Sequence, residues 1–116
     1  MGQIRMSWML AALLTLTMMQ PVQGEATWYT AKPTAIMRSG RPFDRNALIC
    51  AVDRHVFEEE VGKVHFVCTD EECIWCEVAD SGNLGKNNVD LTAKLFRRLF
   101  TYIDIGRRNV TVWKST

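Results

Sequence analysis

Four cysteines, Cys50, Cys68, Cys73 and Cys76, constrain this chain more than any other feature, because all of them follow a leader built for export. Arg5 gives that leader a basic start, and Trp8 to Met19 give it an apolar middle. Val22 and Gly24 are the small residues, two apart, that a signal peptidase needs. The apolar run is a dozen residues, short of the roughly 20 of a membrane-spanning helix, and Pro21 ends it. Residues 1–24 are therefore expected to be a signal peptide cut after Gly24. Residues 25–116 form the mature domain, secreted or periplasmic, with no stable membrane insertion once the leader is gone.

An even number of cysteines in a small exported chain reads as two disulfides, and four allow three connectivities. The favoured pairing closes the acidic Thr69-Asp70-Glu71-Glu72 loop with Cys68–Cys73 and joins two distant strands with Cys50–Cys76. The competing readings are a redox pair in Cys73-Ile74-Trp75-Cys76 and a zinc site recruiting His65. No second CxxC accompanies that motif and no helix start precedes it, so structural bridges are preferred and no metal or other cofactor is expected.

Charge and length narrow the function. From Glu25 onward, 13 basic residues balance 13 acidic ones, which leaves no general electrostatic grip on nucleic acid or anionic lipid. Ninety-two residues are too few for a doubly wound nucleotide domain or a (β/α)8 barrel. A domain this small buries only about two-thirds of its unfolded surface, so covalent staples matter.

Strand composition marks Ala26–Thr30, Ala47–Val52 and Val110–Trp113. Lys63–Val67 and Ile74–Ala79 alternate on either side of the acidic loop and make a hairpin. Ser81–Asn88, rich in Gly and Asn, is loop. Asp90 stands where a helix N-cap belongs, ahead of Leu91, Leu95, Phe96 and Leu99 at helical spacing. Short apolar strands with one late helix predict a mainly β fold, a small closed barrel.

Three aspartates sit beside apolar strand ends: Asp53, Asp80 and Asp90. Asp80 opens a glycine-bearing loop where partial desolvation would raise its pKa, while Asp90 as a cap would be held as an anion. Carboxyls under opposed pressures are what acid/base cleavage of a glycosidic bond requires. The plainer reading is an ordinary turn aspartate at 80 and a helix cap at 90.

Thr34–Val52, TAIMRSGRPFDRNALICAV, resembles the entry segment of the rare lipoprotein A-like double-psi β-barrels. Val78-Ala79-Asp80-Ser81-Gly82 is similar to their aspartate loop, Val89-Asp90-Leu91-Thr92 to their I-D-L-S segment, and Trp28-Tyr29 to their opening W-Y-G. Gly106–Val112 is similar to their closing strand. Barwin-like proteins, expansins and family 45 endoglucanases share this fold, and related lytic transglycosylases carry aspartates that Asp53, Asp80 and Asp90 echo. The resemblance implies a six-stranded double-psi β-barrel with one or two short helices. It also implies a groove for a β-1,4-linked cell-wall glycan such as peptidoglycan. Asp80 would be the general acid/base with Asp90 as second catalytic carboxyl, and Trp28, Tyr29, Asp53, Trp75 and Asn83 would contact the sugar. A monomeric lytic transglycosylase is the leading expectation. A non-catalytic polysaccharide-binding or protein-inhibiting barrel is the alternative, because the family histidine falls on Val52 and His55 lies three residues beyond it.

Overall fold

The computed structural model describes residues 19–104 and 106–115. Six strands close into a barrel: β1 (Met19–Tyr29), β2 (Ile49–Asp53), β3 (Val64–Cys68), β4 (Cys73–Gly82), β5 (Val89–Thr92) and β6 (Arg108–Ser115). Around the barrel they follow the order β1-β5-β2-β4-β3-β6 and return to β1. The β1–β5 and β2–β4 pairs are parallel, and the other four are antiparallel. Two short helices are inserted, α1 (Phe57–Glu60) after β2 and α2 (Ala93–Leu99) directly after β5. Closure gives every strand two partners, with β1 paired to β5 only along Ala26–Tyr29.

Alternation fills the interior. Val67, Cys76, Val78, Val89, Leu91 and Val112 point inward and are almost wholly buried. β2 is buried at all five positions because it is covered twice. Cys50 and Val52 face the interior, while Ile49 packs outside the barrel with Met37, Phe43 and Ala79 beneath the long connection 30–48. That second, smaller core fixes the connection as a wall on the barrel's outer surface.

The disulfides are Cys50–Cys76 and Cys68–Cys73. The first lies wholly in the interior and ties β2 to β4; the second closes the acidic hairpin loop. Every thiol that a zinc or redox reading would use is therefore engaged. His65 is engaged as well. It is fully buried, its Nε2 is 2.7 Å from Glu60 Oε1, and Lys114 Nζ donates to Glu60 Oε2 at 3.1 Å. Burial alone would raise Glu60, but these partners outweigh it and hold the carboxyl below its ordinary value.

One expectation changes. Asp90 does not cap a helix: Val89–Thr92 is a strand, and Thr92 is the cap, its hydroxyl accepting from Leu95 N at 3.4 Å. Period two wins there because Val89 and Leu91 both fill the barrel interior. Residues 1–18 lie outside the described residues, but Met19–Gly24 belong to β1 and pair with β6 from Ser115 to Val110. Gly24 is small for a reason of its own, since a Cβ there would collide with the carbonyl of Asn87. The neighbouring Glu25 N–H donates to Asn88 Oδ1 at 2.9 Å. A cut after Gly24 would leave Val110–Ser115 of β6 unpaired on one side.

A chain beginning at Glu25 should therefore melt about 10 °C or more below one beginning at Met19 when the two are compared by calorimetry. Equal melting temperatures would show that the Met19–Gly24 ladder contributes nothing.

Candidate functional site

Register brings the carboxylates together. Thr27 on β1 pairs with Asp90 on β5, Asp90 with Ala51 on β2, and Ala51 with Asp80 on β4. Residues paired across strands share a face, so the row Thr27–Asp90–Ala51–Asp80 crosses the outer surface of the barrel. Strands lie about 4.8 Å apart, which puts the α-carbons of Asp80 and Asp90 roughly 9.5 Å from each other. Only the methyl group of Ala51 stands between them.

Asp80 reaches that face through a bulge. Cys50 pairs with Val78, but the next β2 residue, Ala51, pairs with Asp80, so Ala79 is the extra residue in β4. Strict alternation through Ile74, Cys76 and Val78 would have turned Asp80 into the core. The carbonyl of Ala79 is taken by Ser39 N at 3.0 Å, which locks the bulge to the 30–48 wall. From the same wall Arg38 N donates to Asp80 Oδ1 at 3.0 Å, and Ser81 N donates to that oxygen at 2.9 Å. The Arg38 side chain is held in turn by Glu58 at 3.3 Å and lies over the Phe57 ring.

Asp90 has the more desolvated position. Burial raises its pKa, the Asp80 charge raises it further, and the Thr27 hydroxyl, donating at 2.8 Å, opposes both. The net direction is upward. Tyr29 completes the cluster. Burial pushes its phenol above the ordinary range, and Asp80 and Asp90 push the same way. Its hydroxyl is enclosed without a hydrogen-bond partner, and its ring packs against Phe43 at 5.5 Å.

The other expected residues are placed differently. Trp28 turns toward the barrel core, with its indole N–H donating to the carbonyl of Ile103 at 2.7 Å, so its ring is not offered to a sugar beside Asp80. Asp53 is a clamp. Its Oδ1 accepts from Leu84 N and Gly85 N at 3.1 and 2.9 Å, and its Oδ2 accepts from His55 N at 3.1 Å. The His55 ring adds a fourth contact at 2.9 Å. The Gly85 and His55 hydrogen bonds hold this carboxyl well below the usual range. Trp75 is exposed on the outer face of β4, but five residues from Asp80, roughly 16 Å along the strand. The Arg41–Glu77 ion pair of 2.6 Å stands between them. Asn83 is exposed in the loop after β4. Val52 points into the core, so a histidine at this position would not stand beside Asp80.

Thr27, Ala51 and Arg38 were not singled out by the sequence. A small residue between two acidic strand ends is the one local signal that could have pointed to Ala51. Among the described residues, no group of three His, Cys, Asp or Glu is arranged to hold a metal ion.

The raised Asp90 has a measurable consequence. As pH rises through the ordinary aspartate range, the unfolded chain releases this proton before the folded one does. Stability present at low pH is thus lost as pH climbs toward the raised folded value. Asp90→Asn should raise Tm by about 2–5 °C at pH 7 and leave it unchanged at pH 3. A drop at pH 7 would mean that the charge is favourable there.

No protein-family model matches the chain, and no curated protein sequence does. Solved structures do match. A Streptomyces papain inhibitor superposes with a TM-score of 0.70 at 23% identity, over 82% of this chain and 93% of the inhibitor. An expansin from Clavibacter michiganensis, solved as a mutant in complex with cellohexaose, gives 0.70 at 17% identity. Its ligand-free form gives 0.70 at 18%. Both expansin comparisons cover 84% of this chain, which spans about half of the expansin at 51%. At these identities the likeness is one of fold, and the fold is the double-psi β-barrel.

Proposed function

We propose that this protein binds a β-1,4-linked cell-wall glycan across the Thr27–Asp90–Ala51–Asp80 row and cleaves it as a lytic transglycosylase. The observation that carries the reading is the placement of two carboxyls in one register row, on an outer face, with a methyl group between them. A chain laid over Ala51 would have a carboxyl on each side. Asp80, oriented by two backbone N–H groups, is the acid/base. In its protonated form it gives the proton to the bridging oxygen as the C1–O bond breaks. The resulting carboxylate takes the proton of the sugar's own 6-hydroxyl as that oxygen bonds to C1, so no water is consumed. Burial and the Asp80 charge make Asp90 keep its proton more readily than an ordinary aspartate. Leader and disulfides support an exported protein.

A second reading has its own support. Two proteins of this fold are, by description, a papain inhibitor and an expansin that holds cellohexaose. Either use of the barrel requires a recognition surface and no bond cleavage.

Incubation with purified peptidoglycan separates the two. The wild type should release 1,6-anhydro muropeptides detectable by mass spectrometry, and Asp80→Asn should lower that release at least about 100-fold. Both proteins should still sediment with insoluble wall. Equal sedimentation with no soluble product from either would leave the binding reading alone.

A further inference from the structure

The ladder on β6 stops short on one side. β1 pairs with β6 down to Arg108, but β3 pairs with it only from Thr111 to Lys114. Residues 108–110 therefore have a strand neighbour on one flank alone, and among the described residues no group outside β1 hydrogen-bonds to their backbone. Successive residues of an antiparallel strand aim their N–H and C=O at alternate sides, so at least one such pair in this stretch faces away from β1. Beyond Cys68 the chain turns back into the acidic loop. The place of the missing neighbour is a cleft of about 740 Å³ between that loop, the end of α2 and residues 107–111. No residue of the carboxylate row lines it.

Leu99, Phe100 and Val110 floor the cleft, and its two ends carry opposite charge. Asp70 and Glu71 stand on the loop, at the end where β3 leaves off. Arg108 is three residues further along β6, roughly 10 Å away, with its guanidinium over the Phe100 ring at 5.4 Å. Glu25 and Arg107 neutralise each other at 3.2 Å, whereas Asp70, Glu71 and Arg108 form no ion pair among the described residues. The acidic lip is preset: the Cys68–Cys73 bridge closes it, and Thr69 Oγ1 accepts from Glu71 N and Glu72 N, both at 3.2 Å. A neutral sugar offers no charge to such a pair of lips, and a nucleic acid offers one sign only. An extended peptide offers backbone donors and acceptors together with side chains of both signs.

We infer that this cleft receives an extended peptide segment of a partner protein, added to the 108–110 edge of β6 in the place β3 vacates. Running antiparallel to β6 as β3 does, the segment brings a lysine or arginine to Asp70 and Glu71 and, two residues later, an aspartate or glutamate to Arg108. Main-chain pairing holds the segment, and the order of its charges selects it. The assignment stands apart from the glycan reading, because the two surfaces share no residue.

Nuclear magnetic resonance titration with the blocked pentapeptides Val-Lys-Val-Glu-Val and Val-Glu-Val-Lys-Val tests it. The first should shift the amide signals of residues 108–110, slow their hydrogen exchange and bind at least about tenfold more tightly than the second. Arg108→Gln and the double variant Asp70→Asn/Glu71→Gln alter exposed side chains only, so each should keep the wild-type Tm and lose most of that preference. Equal binding of the two peptides, binding that leaves the 108–110 amides unprotected, or no binding of either peptide would each overturn the assignment.

Discussion

One extra residue in β4 decides where the chemistry-bearing groups stand. The bulge at Ala79 changes the face on which Asp80 emerges, and it does so opposite the smallest side chain of β2. Without it the carboxyl would be driven into an interior already filled by Val78, Cys76 and Leu91, where an unpaired charge is strongly disfavoured. The interior bridge between Cys50 and Cys76 supports the same register from the other side, because it fixes β2 against β4 immediately before the slip. Loop, bulge and disulfide thus act on one dipeptide step.

The opposed environments of the two aspartates follow from what each borders. Asp80 sits at the edge of the 30–48 wall and takes its hydrogen bonds from backbone N–H groups of that wall and of its own strand. Asp90 sits between β1 and β2, where its neighbours are a threonine and an alanine, and burial dominates. Asp53 stands two residues from Ala51 on β2, and there every carboxylate oxygen is spent holding the 84–85 turn and His55. Three aspartates that look alike in sequence have three occupations: one oriented, one desolvated, one structural.

Much of the architecture was legible because it rests on local signals. The hairpin around the acidic loop, the pairing of the cysteines and the closed barrel follow from alternation, spacing and the apolar character of the strands. The aspartate positions 80 and 90 and Tyr29 were legible through resemblance to known motifs, and the structure brings these three together. What could not be read depends on parity and on long-range pairing. Period-two alternation across Ile74–Val78 says nothing of a slip at Ala79. Leu91, Leu95 and Leu99 fit a helical stripe although the first of them fills the barrel from a strand. Trp28 looks like a sugar platform until α2 and the following turn offer its indole a carbonyl. The strand pairing of Met19–Gly24 was not legible either, since its partner is β6.

That last pairing dictates the order of assembly. The ladder joining Met19 to Ser115 links the first described strand to the last, so the cylinder stays an open sheet until the C-terminal segment has been made. Before then β1 and β3 each present a bare flank to solvent. A chain of this kind is vulnerable until β6 is made and sheds that vulnerability in a single event, the zipping of β6 into the gap between its two neighbours.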